Sequence, residues 1–174
     1  CLIVVESPLM TYAFLVGYDR ESRAPQGEVP TRDDVLFSLR AMPLWVIRID
    51  DRYLAQRNIP NSATLADRRI VLVGCGTIGG YAADMLARAG AGTGAGVFTL
   101  VDSDILLPQN IGRHRLGFPD LLSNKAEALA RDVKRLAPGS NVRALPVDVR
   151  KAKLGDIDLL IDATGEEPLG HWLS

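Results

Sequence analysis

A glycine-rich hexapeptide, GCGTIG at residues 74–79, is the first feature of the sequence that could perform chemistry. It stands between a β-branched run and a helix-like stretch. There the first glycine permits a tight turn, the second lets a phosphate approach the backbone, and the third lets the helix pack against the strand. A helix N-terminus also attracts anions. We predict that Gly74, Gly76 and Gly79 bind a nucleotide; a glycine-rich turn without a ligand is the alternative.

Two aspartates, Asp102 and Asp104, follow the next apolar run. An acidic residue at such a strand end usually accepts hydrogen bonds from ribose hydroxyls. The interval from Gly74 to Asp102 exceeds the usual spacing of about 20 residues, and the excess lies in the glycine-rich residues 90–96. We expect Asp102 to bind ribose. The alternative is a solvated aspartate at a strand end.

Side chains suited to a triphosphate and its metal come next: Asn110, Arg113, Lys125 and Asp162. Arginine and lysine neutralise phosphate oxygens, and an aspartate can hold magnesium. A nicotinamide-dependent oxidoreductase needs a hydride-transfer site instead and does not need this many charges. The pattern therefore favours ATP with Mg²⁺ over NAD.

A parallel sheet would bring these residues together, because the carboxyl ends of its strands meet at one edge. Apolar runs predict four strands, at residues 70–73, 97–101, 142–147 and 157–161. The helix after the glycine loop has an apolar stripe at Ile78, Ala82, Met85 and Leu86. A second helix, capped by Ser123, has one at Leu129, Val133 and Leu136. The predicted fold is α/β: doubly wound, Rossmann-like, with a mostly parallel sheet.

The first 60 residues have a different pattern and predict a small N-terminal module or linker. Apolar runs at residues 2–5 and 12–16 indicate a hairpin, and residues 44–49 indicate a strand after Pro43. We therefore divide the chain into residues 1–60 and a nucleotide-binding domain at residues 65–174. We expect that domain to be incomplete at its C-terminus and the chain to be a piece of a longer protein.

The overall composition excludes several classes. The chain has 174 residues, a net charge of −1 and 47% hydrophobic residues, which is typical of a globular protein and unlike a disordered one. The balanced charge gives no reason to expect nucleic acid or a membrane as a partner. Two cysteines make no disulfide framework, so we expect a reducing, cytoplasmic location. We expect Cys75 to be buried and inert, and His114 to lie at the surface; a contact between His114 and phosphate is the alternative.

Six segments in order resemble the adenylation domain of ubiquitin-activating enzymes and their bacterial relatives in thiamine and molybdopterin biosynthesis: VLVGCGTIGG, LVDSD, NIGR, NKAEALARDV, AP and LLIDATG. The resemblance covers about residues 65–170. It implies an adenylyltransferase that uses Mg-ATP to adenylate the C-terminal glycine of a ubiquitin-like or sulfur-carrier protein. It also implies that the family's transfer cysteine lies beyond residue 174, and it suggests fusion to an upstream ubiquitin-conjugating-like module.

The resemblance assigns roles to individual residues. It places Gly74, Gly76 and Gly79 in the nucleotide loop, Asp102 and Asp104 at the ribose or adenosine, Asn110, Arg113 and Lys125 at the phosphates, and Asp162 at magnesium. The chain departs from the family after Asp162, where it has Ala-Thr-Gly-Glu instead of Cys-Thr-Asp-Asn.

An arginine from a partner subunit completes the site in the family, which implies a homodimer. The family's Arg-Tyr-x-Arg-Gln element resembles residues 51–57 here, and Arg57 or Arg52 is the candidate. An inactive adenylation-fold scaffold is a further alternative. The presence of Arg113, Lys125 and Asp162 argues against it.

Overall fold

The computed structural model describes residues 1–6, 11–18, 31–33, 38–50, 53–55 and 64–173. They fall into two units, Cys1–Arg48 and Ile49–Ser174. Each unit has its own sheet, antiparallel in the first and parallel in the second. Within the described part of the chain, no helix has the length and apolar character needed to cross a bilayer.

The first unit is a three-stranded antiparallel sheet in the order β1-β2-β3. Its strands are β1 (Leu2–Glu6), β2 (Thr11–Tyr18) and β3 (Leu39–Leu44). The predicted hairpin is confirmed, since β1 pairs with β2. The strand predicted at residues 44–49 is wrong, because β3 ends at its first residue and contains Pro43. Proline is tolerated there because β3 is an edge strand, where one N–H group is not needed for pairing.

The second unit is a parallel sheet in the order β6-β5-β4-β7. Its strands are β4 (Arg69–Val73), β5 (Val97–Val101), β6 (Val142–Leu145) and β7 (Leu159–Asp162). The chain runs outward from β4 to β6 and then returns to the other side of β4. Ligands of doubly wound folds bind where the strand order reverses in this way. The predicted fold class is confirmed.

Three helices accompany this sheet: α1 (Thr77–Arg88), α2 (Lys125–Leu136) and α3 (Glu167–Leu173). Successive strand residues point to opposite faces of the sheet. On one face, Ile70 and Leu72 of β4 share a buried cluster with residues of α1 and α2. On the other, Val71 and Val73 pack in a smaller cluster with Leu169 of α3. Both faces of β4 are therefore buried, as its continuous apolar run predicts.

The buried face of α1 differs from the predicted stripe. Ile78 is 73% exposed and Met85 is 70% exposed. The residues of α1 that are buried are small: Gly79, Gly80, Ala83 and Ala87. The stripe is wrong at Ile78 and Met85, because α1 rests on the sheet through its small residues and leaves no room beneath it for these large side chains. At Leu86 it is confirmed, since that side chain is half-buried and packs against the core cluster.

The start of α1 lies very close to the segment that follows β4, where the two outer glycines of the loop meet. A Cβ atom added to Gly79 would overlap the carbonyl oxygen of Gly74. Gly74 itself has φ +86°, a conformation that side chains with Cβ rarely adopt. By contrast, a Cβ at Gly76 would have no atom within 4 Å. The outer glycines thus shape the loop, and the middle glycine leaves its surface open.

We predict that Gly79→Ala lowers the free energy of unfolding by about 3 kcal/mol, the upper end of the cost of overpacking, because backbone atoms must shift to admit the methyl group. Gly76→Ala is the matched control. It should cost at most about 1 kcal/mol, the usual penalty for alanine at a helix N-cap. Urea unfolding monitored by circular dichroism measures both. Equal stabilities of the two variants would contradict the packing argument.

At the other end of β4, Arg69 is tied to the segment that leads into β7. Oδ2 of Asp158 accepts hydrogen bonds from Arg69 N at 2.7 Å and Arg69 Nε at 3.1 Å. Its Oδ1 lies 2.8 Å from an Arg69 guanidinium nitrogen. These hydrogen bonds and the nearby charge hold the pKa of Asp158 well below its usual range. The pair therefore fixes β7 against β4 at the amino end of the sheet.

We predict that this pair makes stability depend on pH in the acidic range. Because the folded-state pKa of Asp158 is depressed, its contribution is present above the unfolded value of about 3.9 and is lost as the pH falls further. Asp158→Asn should flatten that decline in unfolding free energy between about pH 4 and pH 2. Asp156→Asn is the control, since that partner is 87% exposed and should contribute little. A decline as steep in Asp158→Asn as in the wild type would exclude this cause.

Candidate functional site

A cleft of about 270 Å³ opens at the carboxyl ends of β4, β5 and β7. Gly74 and Gly76 form part of its wall, and so do Asp102, Asp104 and Lys125. Five residues predicted from separate parts of the sequence are therefore brought together at the point where the strand order reverses. A polar, open cleft in this position is suited to a nucleotide.

The carboxylate of Asp102 is held at the end of β5 by two backbone N–H groups. Oδ2 accepts from Cys75 N in the glycine loop at 2.7 Å, and Oδ1 accepts from Asp104 N at 2.8 Å. The first contact joins the end of β5 to the glycine loop. It therefore fixes the position of the Asp102 carboxylate relative to the loop. The assignment of Asp102 to ribose stays a prediction.

Lys125, the first residue of α2, lies in the cleft wall with Asp102. Its Nζ is 2.8 Å from Oδ2 of Asp104, and its side chain is only 11% exposed. Asp104 in turn is 67% exposed. The cation is therefore largely withdrawn from solvent, while its partner carboxylate stands at the open side of the cleft.

The start of α2 depends on Asn124, which the sequence interpretation missed. The predicted cap, Ser123, is wrong by one position, since the side chain of Asn124 accepts a hydrogen bond from Glu127 N at 3.1 Å. Asn124 Nδ2 also donates to the carbonyl oxygens of Asp102 and Asp104, at 2.9 and 3.0 Å. An asparagine can do both because it has an acceptor and two donors. It thereby places Lys125 opposite Asp104.

Asn110 and Arg113 lie on the loop between β5 and α2 and are not part of the cleft wall. Asn110 Oδ1 accepts from Leu107 N at 2.9 Å, so this side chain shapes a turn. Arg113 N bonds the carbonyl of Asn110 at 3.1 Å, and its side chain is exposed. The phosphate role of both stays a prediction.

Asp162 ends β7, next to cleft residues Ala163 and Thr164 but outside the wall itself. Its Oδ1 accepts from the N and Oγ1 of Thr164 at 2.9 and 2.7 Å. No cluster of three metal-binding side chains occurs among the described residues. Magnesium usually needs only one or two carboxylates because nucleotide phosphates and water complete its coordination. An exposed carboxylate at this edge fits that requirement.

A stretch after β6 also forms the cleft wall and was missed at the sequence level. It comprises Val147, Asp148, Val149 and Arg150. Asp148 Oδ1 accepts from Arg150 N at 2.9 Å, a contact that lowers the pKa of this carboxyl group. The topological rule that located Asp102 applies equally here, since both segments follow the carboxyl end of a strand.

Two reactive side chains near the glycine loop are buried. The predicted burial of Cys75 is confirmed, since the residue is fully buried, and burial raises the pKa of its thiol. The prediction for His114 is wrong, since the residue is only 8% exposed. The prediction of a surface position failed because charged neighbours in the sequence do not determine whether a side chain is buried in the folded protein.

Arg57 and Arg52, the candidates for a partner's site, lie outside the described residues. Between them the structure describes a helical segment at residues 53–55. Its Ala55 is buried. The choice between the two arginines stays a prediction.

Comparison with known proteins agrees with this geometry. Over 172 residues the chain is 69% identical to the ATP-dependent ubiquitin transferase-like protein Cap2 of Pseudomonas aeruginosa (strain BWHPSA011 / Pa011), covering 99% of this chain and 32% of that protein. Cap2 of Escherichia coli (strain TW11681) is 41% identical over 131 residues, covering 72% of this chain and 22% of that protein. The chain thus spans about a third or less of these relatives.

A solved structure shows the same fold. The E. coli tRNA N6-threonylcarbamoyladenosine dehydratase TcdA, in complex with AMP, is similar with a TM-score of 0.55 and 26% identity, covering 67% of this chain and 51% of that one. TcdA has also been solved in complex with ATP. Residues 52–173 match the ThiF family. Together with the parallel sheet and its cleft, this match shows that the chain belongs to the ThiF family.

Proposed function

We propose that this chain contains the ATP site of an adenylyltransferase that acts on the C-terminal glycine of a ubiquitin-like or sulfur-carrier protein. The observation that carries the proposal is the position of Lys125, a nearly buried cation beside the glycine loop and Asp102 in one cleft. The name of the Cap2 relatives, ATP-dependent ubiquitin transferase-like protein, supports the same nucleotide and class of partner.

The chemical step needs positioning and charge neutralisation more than a protein nucleophile. A carboxylate oxygen of the carrier bonds to the α-phosphorus, and the bond to the β-phosphate breaks, releasing pyrophosphate with its electron pair. Because a carboxylate and a phosphate repel each other, cations near the phosphates lower the barrier. Lys125 in the cleft wall and Arg113 on the loop before α2 are the two cations to which we assign this role within one subunit.

The ion pair that positions Lys125 can be exchanged for a contact with phosphate. This ion pair with Asp104 is open to solvent on the carboxylate side, where Asp104 is 67% exposed. A triphosphate in the cleft can therefore replace Asp104 as the counter-ion. Asp162 would hold Mg²⁺, which supplies further neutralisation when it is bound.

Two other functions fit less well. An NAD(P)-dependent oxidoreductase has no use for Arg113 and Lys125, and family membership does not favour it. An inactive scaffold does not explain why Asp102, Asp104 and Lys125 converge in a cleft.

The remaining parts of the proposal concern the assembly. We expect a cytoplasmic homodimer in which Arg57, or Arg52, reaches the partner's nucleotide, with neither nucleic acid nor a membrane as partner. The balanced net charge of −1 supports the last point.

We predict that the full-length protein with magnesium binds ATP more tightly than NAD in calorimetry. Lys125→Ala should weaken ATP binding, because a phosphate-binding cation is lost. Gly76→Ala should also weaken it, because its methyl group would keep phosphate from the backbone of a loop that otherwise folds normally. Tighter binding of NAD than of ATP would contradict the proposal.

We predict that Asp162→Asn slows exchange of labelled pyrophosphate into ATP, with the cognate carrier protein present, by about a hundredfold. This corresponds to about 3 kcal/mol of lost transition-state stabilisation. Asparagine can still accept from Thr164, so the turn after β7 should remain. Asp156→Asn, at the opposite end of the sheet, is the charge-matched control and should exchange normally. Near wild-type exchange in Asp162→Asn would remove the magnesium role.

A further inference from the structure

We propose that His114 is a positioning residue that joins the glycine loop to the Arg113 loop and thereby sets the affinity for the nucleotide phosphates. The inference rests on the proposed function, because it assumes that this loop binds phosphate. It concerns a side chain that forms no part of the cleft wall and that acts through the backbone of the loop.

Both ring nitrogens of His114 are bonded to backbone groups. Nε2 lies 2.8 Å from the carbonyl oxygen of Cys75, and Nδ1 accepts from Leu116 N at 3.1 Å. Because Leu116 N–H can only donate, the proton of the neutral ring must be on Nε2, which donates to Cys75. Burial lowers the pKa of His114, which agrees with a neutral ring.

The position of the Cys75 carbonyl fixes the direction of the next N–H group, that of Gly76. A peptide unit is planar and trans, so the N–H of Gly76 points away from the Cys75 oxygen. Cys75 N is itself bonded to Asp102 Oδ2. Asp102 and His114 therefore hold the peptide units on either side of Cys75. This arrangement determines where the Gly76 N–H is aimed, and Gly76 is part of the cleft wall.

The neighbouring residue fastens the Arg113 loop independently of His114. Arg115 pairs with Asp84 of α1 at 3.0 Å and with Asp132 of α2 at 2.9 Å. The absence of a side chain at Gly80 allows this approach, since a Cβ there would lie 3.2 Å from Arg115 Cβ. Loss of His114 should therefore release the glycine loop without detaching the Arg113 loop.

Two amide substitutions separate the contacts of His114. In His114→Asn, the amide can replace Nδ1 and accept from Leu116 N, but it is too short to reach Cys75. In His114→Gln, the longer side chain can place an N–H donor near the position of Nε2. Ser140→Ala is the control for stability alone. Ser140 is fully buried and its Oγ bonds Ala137 O at 2.7 Å, at the end of the sheet opposite the cleft.

The experiment measures two quantities in the full-length protein: the dissociation constant for Mg-ATP, and hydrogen exchange of a peptide covering residues 74–79 without nucleotide. We expect His114→Asn to weaken ATP binding about tenfold, the effect of one hydrogen bond, and to speed exchange in the loop. His114→Gln should stay within about threefold of the wild type in both. Ser140→Ala should lower the melting temperature and leave both unchanged.

Separate outcomes overturn the two proposals. If the wild type binds no ATP, the proposed function fails. If the wild type binds ATP and His114→Asn matches it in affinity and loop exchange, only the positioning role fails. That role also fails if His114→Gln is as weak as His114→Asn, or if Ser140→Ala weakens ATP binding equally.

Discussion

The close approach of α1 to β4 is the constraint on which the cleft depends. Because Gly79 packs directly on the Gly74 carbonyl, α1 begins next to the carboxyl end of β4. The first N–H groups of the helix therefore lie at this edge of the sheet. The same closeness requires small residues along the buried face, where Gly80, Ala83 and Ala87 follow. Large apolar residues such as Ile78 and Met85 are left on the outside. The contact between Gly79 and Gly74 thus constrains both the shape of the loop and the choice of residues on the buried face of α1.

Hydrogen bonds from β5 then place charge around the loop. Asp102 holds the loop through Cys75 N, and Asn124 holds the beginning of α2 through the carbonyl groups of Asp102 and Asp104. Lys125 follows in sequence and meets Asp104. A cation and two carboxylates, separated by about twenty residues of chain, become neighbours because a strand end and a helix start share one asparagine.

This preorganisation suits chemistry that depends on electrostatics. Groups aimed at developing charge need little rearrangement when the reaction occurs, so most of their cost is met during folding. The ion pair of Lys125 keeps that cation in place before nucleotide arrives. Arg113 and Asp162 are more exposed, which leaves them able to adjust to phosphate, metal or a carrier's terminus.

The sequence alone determined the fold class, the parallel strands, the glycine loop and the residues Asp102, Asp104 and Lys125 that converge on it. These are local patterns: β-branched runs predict buried strands, and acidic residues at strand ends must lie at one edge of a parallel sheet. Only the tertiary structure decided the burial of His114 and the identity of the buried face of α1. His114 follows a charged residue yet lies in the interior, and Ile78 and Met85 of α1 face outward, because burial depends on how closely elements pack and not on the hydropathy of one segment. The tertiary structure also tied the amide of Asn124 to the carbonyl groups of Asp102 and Asp104, and it brought residues 147–150 into the cleft wall.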